Sequence, residues 1–160
     1  MARPLLRFAL LFFLFLLAFS AFSAATGLQN HLHAVENVFA SAATALAKLG
    51  GSAAQVVDGN HIFTQSLTLN INHECTGVFV LFVLISFIAA YPSNARAKLA
   101  GILVGVTALS LINVVRIATL VRIVEYYPPA FDYFHEYVWQ GAFLMLVTLY
   151  AITWVEWARR

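Results

Sequence analysis

The sequence predicts an all-α integral membrane protein: about four transmembrane helices, with an outer amphipathic helix and a short β-hairpin between the first and second. Three observations predict it. Of the 160 residues, 62% are hydrophobic and 10% charged, whereas soluble domains run about 45–50% apolar and roughly 25% charged. Four uncharged apolar runs, raising the mean hydropathy to +0.84, approach the ~20 residues needed to cross a bilayer. The charges between those runs sort largely by sign, with Lys48 the exception. Arg3, Arg7, Arg96, Lys98, Arg159 and Arg160 fall on one side, while Glu36, Lys48, Asp58, Glu74, Glu125, Asp132 and Glu136 fall on the other. Basic residues mark the cytoplasmic side, so both termini are expected inside.

The first run extends from Phe8 to about Thr26 behind Arg3 and Arg7. Its leucine- and phenylalanine-rich core and the small residues Ser20 to Ala24 also describe a secretory signal peptide. Either reading puts the following segment outside. There Leu32, Val35, Phe39, Ala42, Ala43, Leu46 and Leu49 recur at helical spacing and predict an amphipathic helix, lying on the outer membrane surface or capping the bundle. Gly50-Gly51 ends it. The turn signal Val56-Val57-Asp58-Gly59-Asn60 and the alternation of Leu67, Leu69 and Ile71 predict a short hairpin leading into Cys75.

The second run spans Cys75 to Ala95, ending near Tyr91-Pro92. The third runs from Leu99 to Arg116, and the fourth lies between Glu136 and Glu156. Tyr126-Tyr127-Pro128-Pro129 reads as a rigid outer turn. Trp139, Trp154 and Trp157 read as interface anchors. The expected organisation is a first transmembrane helix or signal peptide (1–27), an extracytoplasmic helix and hairpin (28–74) and a three-helix membrane core (75–160).

A net charge of +2 without a basic stripe gives no sign of a nucleic-acid partner; the lipid bilayer is the expected one. A lone cysteine excludes an internal disulfide and a cysteine metal knuckle. His31-Leu32-His33 lacks matching carboxylates, so neither a metal nor another cofactor is expected.

By topology alone, three separate runs bring Cys75, Arg116 and His135 to the outer face. Cys75 opens the second run, where a helix N-terminus would stabilise a thiolate; buried alone, a cysteine is usually a small hydrophobe. Arg116 lies about 26 Å along the third run. An arginine at bilayer depth costs on the order of 2.5–3.5 kcal/mol and faces the bundle interior with a partner. Asn113, one turn earlier, could orient the guanidinium. Arg122, six residues on, fits snorkelling to the headgroups. Asp132 is a candidate N-cap that would put His135 in the first turn of the fourth helix, with a side chain suited to proton transfer near neutrality. Glu74 and Glu136 neighbour these residues. They either orient His135 or bind substrate, against a competing role as a solvated rim.

At these residues the chain resembles the exosortase/archaeosortase family of membrane-embedded cysteine transpeptidases. The pattern is Cys75-Thr76-Gly77, then Asn113-Val114-Val115-Arg116-Ile117, then His135 with Gly141 on the next run. Many members carry further N-terminal spans, and serine is common where Thr76 stands. The small size resembles compact bacterial subgroups such as exosortase H, associated with IPTL-type C-terminal signals. The resemblance implies Cys75, Arg116 and His135 as catalytic residues in a periplasm-facing site of the inner membrane. It also implies a cysteine protease or transpeptidase acting on exported proteins with a C-terminal motif, helix and basic end. The competing readings are a non-enzymatic subunit of an export or polysaccharide-assembly complex, and a transporter component with Arg116 contacting an anion.

Overall fold

The computed structural model describes residues 2–159; Arg160, counted above among the inner charges, lies outside them. Helix α1 (Ala2–Thr26) ends at Gly27, whose φ of 59° is left-handed. After a 3-10 turn, α2 (His33–Leu49) stops at the expected glycines, Gly51 taking φ 85° and donating its N–H to the Lys48 carbonyl at 2.9 Å.

Three short strands follow: β1 (Gln55–Val57), β2 (His61–Phe63) and β3 (Thr68–Asn70), antiparallel in the order β1-β2-β3. The expected hairpin is therefore a three-stranded sheet. Asp58 and Gly59, at φ 51° and 84°, turn β1 into β2, and the Leu67–Ile71 alternation adds β3 beyond it.

The rest is helical. α3 (Val78–Ala90) and α4 (Ala95–Tyr126) form an antiparallel pair. A 3-10 turn at Pro128–Ala130 leads into α5 (Phe131–Tyr133), a π-helical stretch (Phe134–Val138) and α6 (Trp139–Ala158).

Three helical segments are long and apolar enough to cross a bilayer: Leu5–Thr26, Ala95–Tyr126 and Pro128–Ala158. The expected second span is shorter than a span. α3 has 13 residues, about 20 Å against a hydrocarbon thickness of about 30 Å. Its N-terminal residues fold into a turn instead, and Tyr91, ahead of Pro92, leaves the helical region at ψ 136°.

Two clusters hold the molecule together. Around the C-terminal part of α4, Ile117, Ala118, Val121 and Val124 pack on Phe39, Ala40, Ala43 and Ala47 of α2 and on Ile62 and Leu69 of the sheet. Thus α2 caps the bundle, but its inward face is rotated from the one expected. Phe39 and Ala43 are buried as expected, whereas Leu46 and Leu49 are 37% and 87% exposed, and Glu36 is buried. Alanines let α2 approach α4 closely where leucines would not fit, and Glu36 is satisfied by His33 Nδ1 at 3.0 Å.

The second cluster lies among the apolar helices: Leu84 and Ile88 of α3, Leu109 of α4, Phe143 and Trp154 of α6. Gly101 and Gly105 allow the approach of α6. A side chain at Gly101 would run into the Trp154 indole, and one at Gly105 would meet Tyr150 and Leu84. Trp154 Nε1 donates to the Ala97 carbonyl (3.1 Å), and Tyr150 Oη donates to that of Gly101. Trp154 is consequently a buried packing residue, not an interface anchor, while Trp157 is exposed.

α1 lies against α3 through aromatic contacts, Phe8 meeting Phe87 edge-on at 5.5 Å. At that end Arg159 Nε donates to Tyr91 Oη at 2.8 Å and Lys98 Nζ to the Ala89 carbonyl at 2.6 Å. Arg7 and Lys98 line one crevice with Tyr91. Arg7, Lys98 and Arg159 thus gather at one end of the bundle, as their common sign predicted. Arg122 does not reach outward alone: it pairs with Glu125 at 2.9 Å and stacks over Tyr126.

Candidate active site

At the opposite end from those basic residues, where the sheet meets α4 and the start of the last helical segment, lies a cavity of about 550 Å³. Cys75, Arg116 and His135 all line it, together with Glu74, Phe131, Gln140 and the run Thr68–Asn72. Sequence order separates these residues widely; the fold puts them around one space.

Cys75 is not in a helix. It sits in the turn between β3 and α3, which is built by Asn72: the Asn72 side-chain oxygen accepts from the Glu74 and Cys75 N–H groups at 3.1 and 3.2 Å, and its carbonyl accepts from Cys75 at 3.0 Å. Thr76, almost fully buried, closes the turn by donating to the His73 carbonyl at 2.7 Å. The hydroxyl shared by serine and threonine has this local use. Gly77 then adopts φ 70° as the residue before α3, a region costing a residue with Cβ roughly 1–2 kcal/mol.

The expected thiolate at a helix N-terminus is accordingly replaced by a thiol in a turn. Burial pushes the Cys75 thiol up from its ordinary range; a backbone hydrogen bond at Asn72 and the Arg116 charge pull the other way without offsetting it, and Glu74 and Glu36 add to the rise. A protonated sulfur needs a base to become a nucleophile.

Arg116 emerges from α4 only 9% exposed, and its Nε has no hydrogen-bond partner. Among the described residues no carboxylate pairs with it. A buried guanidinium without a counter-ion is costly, and the cavity is where an anion could meet it.

Asn113 does not orient that guanidinium. Its Nδ2 donates instead to the main-chain carbonyl of Cys75 at 2.8 Å, and its Oδ1 is buried without a partner. It tethers the cysteine turn to α4.

His135 lies half-buried, its ring stacked on Phe131 at 5.3 Å with 11° between the planes. Asp132 is not its N-cap. The helix has already begun at Phe131, and His135 falls in the π-helical stretch. That wider winding brings residues five apart nearer to one face than an α-helix does, and His135 and Gln140 line the same cavity.

Glu74 is an exposed member of the cavity rim; Glu136 is exposed and not among its lining residues. Gly141 has open space around it, and nothing in the structure explains a glycine there. The sequence reading missed Asn72, Gln140 and Phe131. Asn-x-x-Cys is an Asx-turn signal that could have revealed the first; the π-helix that recruits Gln140 leaves no comparable trace. No group of three or more metal-ligating side chains occurs among the described residues.

A family model described as transmembrane exosortase matches residues 2–154. A protein of Methanocaldococcus jannaschii described as probable archaeosortase E is 28% identical over 97 residues, covering 61% of this chain and 52% of that protein. The chain thus spans about half the length of the curated relative it matches. No solved structure matches.

Proposed function

We propose, from the premise that the chain belongs to the transmembrane exosortase family, that this multi-pass membrane protein is a cysteine protease or transpeptidase acting on C-terminal sorting signals. Its substrates are exported proteins ending in a short motif, an apolar helix and a basic tail, cut at the outer face of the inner membrane. The observation that carries the reading is the single cavity lined by Cys75, Arg116 and His135, with Arg116 lacking any carboxylate partner among the described residues.

In this mechanism His135 takes the thiol proton as Cys75 Sγ attacks the scissile carbonyl carbon, and the carbonyl π electrons move onto oxygen. Arg116 stabilises that oxyanion; loss of one such donor typically costs about 10²–10³ in rate. Collapse of the tetrahedral adduct breaks the C–N bond. His135 returns the proton to the leaving amine, leaving a thioester on Cys75. An incoming nucleophile (water, an amine, or a lipid or glycan hydroxyl) then gives its proton to His135 as it attacks the thioester carbon; the C–S bond breaks, and His135 returns that proton to the sulfur.

The reading also has room for the substrate helix. An apolar trough of about 790 Å³ runs between α1 and α6 over a floor of α3, lined by residues that include Phe8, Phe87, Leu144, Thr148 and Val155. Gln140, Leu144 and Thr148 are spaced four apart on α6, so one face of that helix serves both the cavity and the trough.

The test is processing of a co-expressed reporter with an IPTL-type C-terminal signal, followed by mass. Wild-type protein should remove the C-terminal helix and Cys75→Ala should not. Arg116→Lys, which keeps the charge but loses the planar fork, should be severely impaired. Equal processing by wild type and Cys75→Ala sinks the proposal.

A further inference from the structure

β3 is an edge strand, and its free edge is a wall of the cavity that holds Cys75. The sheet order β1-β2-β3 leaves β3 with one partner. Five consecutive residues, Thr68 to Asn72, line the cavity. Successive side chains of a strand point to opposite faces, so an unbroken run can line one space only along the strand's edge.

The register says which backbone groups that edge offers. β2 and β3 pair as His61 with Asn70, Ile62 with Leu69 and Phe63 with Thr68. The flanking bonds run from Ile71 N–H to the Asn60 carbonyl and from Thr64 N–H to the Leu67 carbonyl, at 2.9 and 3.0 Å. Hydrogen-bonded and non-bonded pairs alternate in an antiparallel ladder, so Leu69 turns its N–H and C=O toward Ile62. Thr68 and Asn70 turn theirs away from β2, into the cavity. Among the described residues neither makes another main-chain bond. Both side chains are exposed, while Leu69 is buried beneath the sheet.

An exposed strand edge is a template for another strand. Proteins commonly blunt such edges with charge or proline; the stretch Thr68–Asn72 carries neither. It also continues without a break into the Asn72 turn that presents Cys75. A peptide laid along β3 would therefore be carried to the sulfur by the same strand that positions the sulfur.

We propose that β3 binds the extended segment of the substrate around its scissile bond by strand addition, using the outward N–H and C=O groups of Thr68 and Asn70. This deepens the reading above and rests on it. Main-chain bonds supply sequence-tolerant affinity and fix the peptide's depth. Selectivity is left to the side chains that alternate toward Phe131, His135 and Gln140.

The test uses the full chain in membranes. In the Cys75→Ala background, Thr68→Cys is paired with single cysteines placed successively through the outer segment of the IPTL-type reporter, and thiol crosslinking is scored. Maxima at every second reporter position are expected. A helical period, uniform labelling or no crosslink overturns the proposal. So does crosslinking of two copies of the enzyme to each other in place of the reporter, which would assign the edge to self-association. This readout needs no turnover, so failure of the cleavage chemistry and failure of strand addition are seen separately.

In otherwise wild-type protein, Thr68→Pro removes one outward N–H and none of the sheet's own bonds. It should lower processing by about tenfold or more, while Cys75 alkylation is unchanged. Full processing by Thr68→Pro overturns the proposal.

Discussion

Asn113 holds Cys75 by its backbone: Nδ2 of the asparagine donates to the cysteine carbonyl at 2.8 Å across thirty-eight residues of chain. Because Asn113 and Arg116 lie one turn apart on α4, a single helix anchors the cysteine turn and supplies the charge that faces it. Asn113 is 1% exposed, so the bond is made away from water, where losing it is costly.

Asn113→Leu should leave the Cys75 carbonyl unsatisfied and cost about 1–3 kcal/mol of stability. If Asn113 is a positioning residue for the sulfur, reporter processing should also lose kcat with little change in KM. A fall in melting temperature with kcat intact would reduce Asn113 to a structural tie.

The close approach of α6 to α4 makes a second prediction. Gly101→Ala would place a methyl group inside the space of the Trp154 indole, whose Nε1 is committed to the Ala97 carbonyl. Overpacking of this kind costs roughly 1–3 kcal/mol, and the indole cannot withdraw without losing its hydrogen bond. Detergent-solubilised Gly101→Ala should melt at a clearly lower temperature. Gly141→Ala, where a methyl group meets nothing, should melt like wild type.

How far the sequence could anticipate these features depends on the kind of interaction involved. Span order and charge sign placed Cys75, Arg116 and His135 at one end, because a chain crossing a membrane has few ways to return. The amphipathic stripe of α2 announced the helix but mistook its inward face. Periodicity weighs leucines above alanines, whereas close packing on α4 favours the alanines and sends Leu46 and Leu49 outward. α3 was overestimated because hydropathy does not register that Asn72, Thr76 and Gly77 spend the first residues of the apolar run on a turn. Gly101 and Gly105 stood in the sequence at four-residue spacing, yet their role depends on Trp154 and Tyr150, which arrive from another helix. The role of Asn113 was hidden for the same reason: its partner is a main-chain carbonyl, and backbone groups carry no sequence label.

The buried thiol sets a pH dependence. Burial raises the Cys75 pKa, so at neutral pH less of the sulfur is thiolate than in an exposed cysteine, and the fraction keeps growing as pH rises past the ordinary thiol range. Alkylation of wild-type protein by a neutral reagent should therefore be slow at pH 7 and still be accelerating above about pH 9. The Arg116 charge works against the rise, so Arg116→Gln should displace the profile further toward high pH. A profile that levels off near neutrality would show that the resting sulfur is already a thiolate. His135 would then have no proton to remove.

The trough between α1 and α6 can be tested without touching the cavity. Thr148 is an exposed residue of its lining, and its hydroxyl bonds only to the Leu144 carbonyl of its own helix. Thr148→Phe fills the trough while leaving the buried faces of α6 unchanged. If the substrate helix lies there, the added ring must be accommodated against it at roughly 1–3 kcal/mol, or about fivefold to 150-fold in affinity. Processing should then show a raised KM with kcat, Cys75 alkylation and melting temperature near wild type. Thr153→Phe is the matching control: Thr153 is also exposed on α6, its hydroxyl bonds to the Leu149 carbonyl of its own helix, and it does not line the trough, so the same added bulk should be silent. Equal effects of the two substitutions would mean that the substrate helix approaches from elsewhere, with the trough left to lipid.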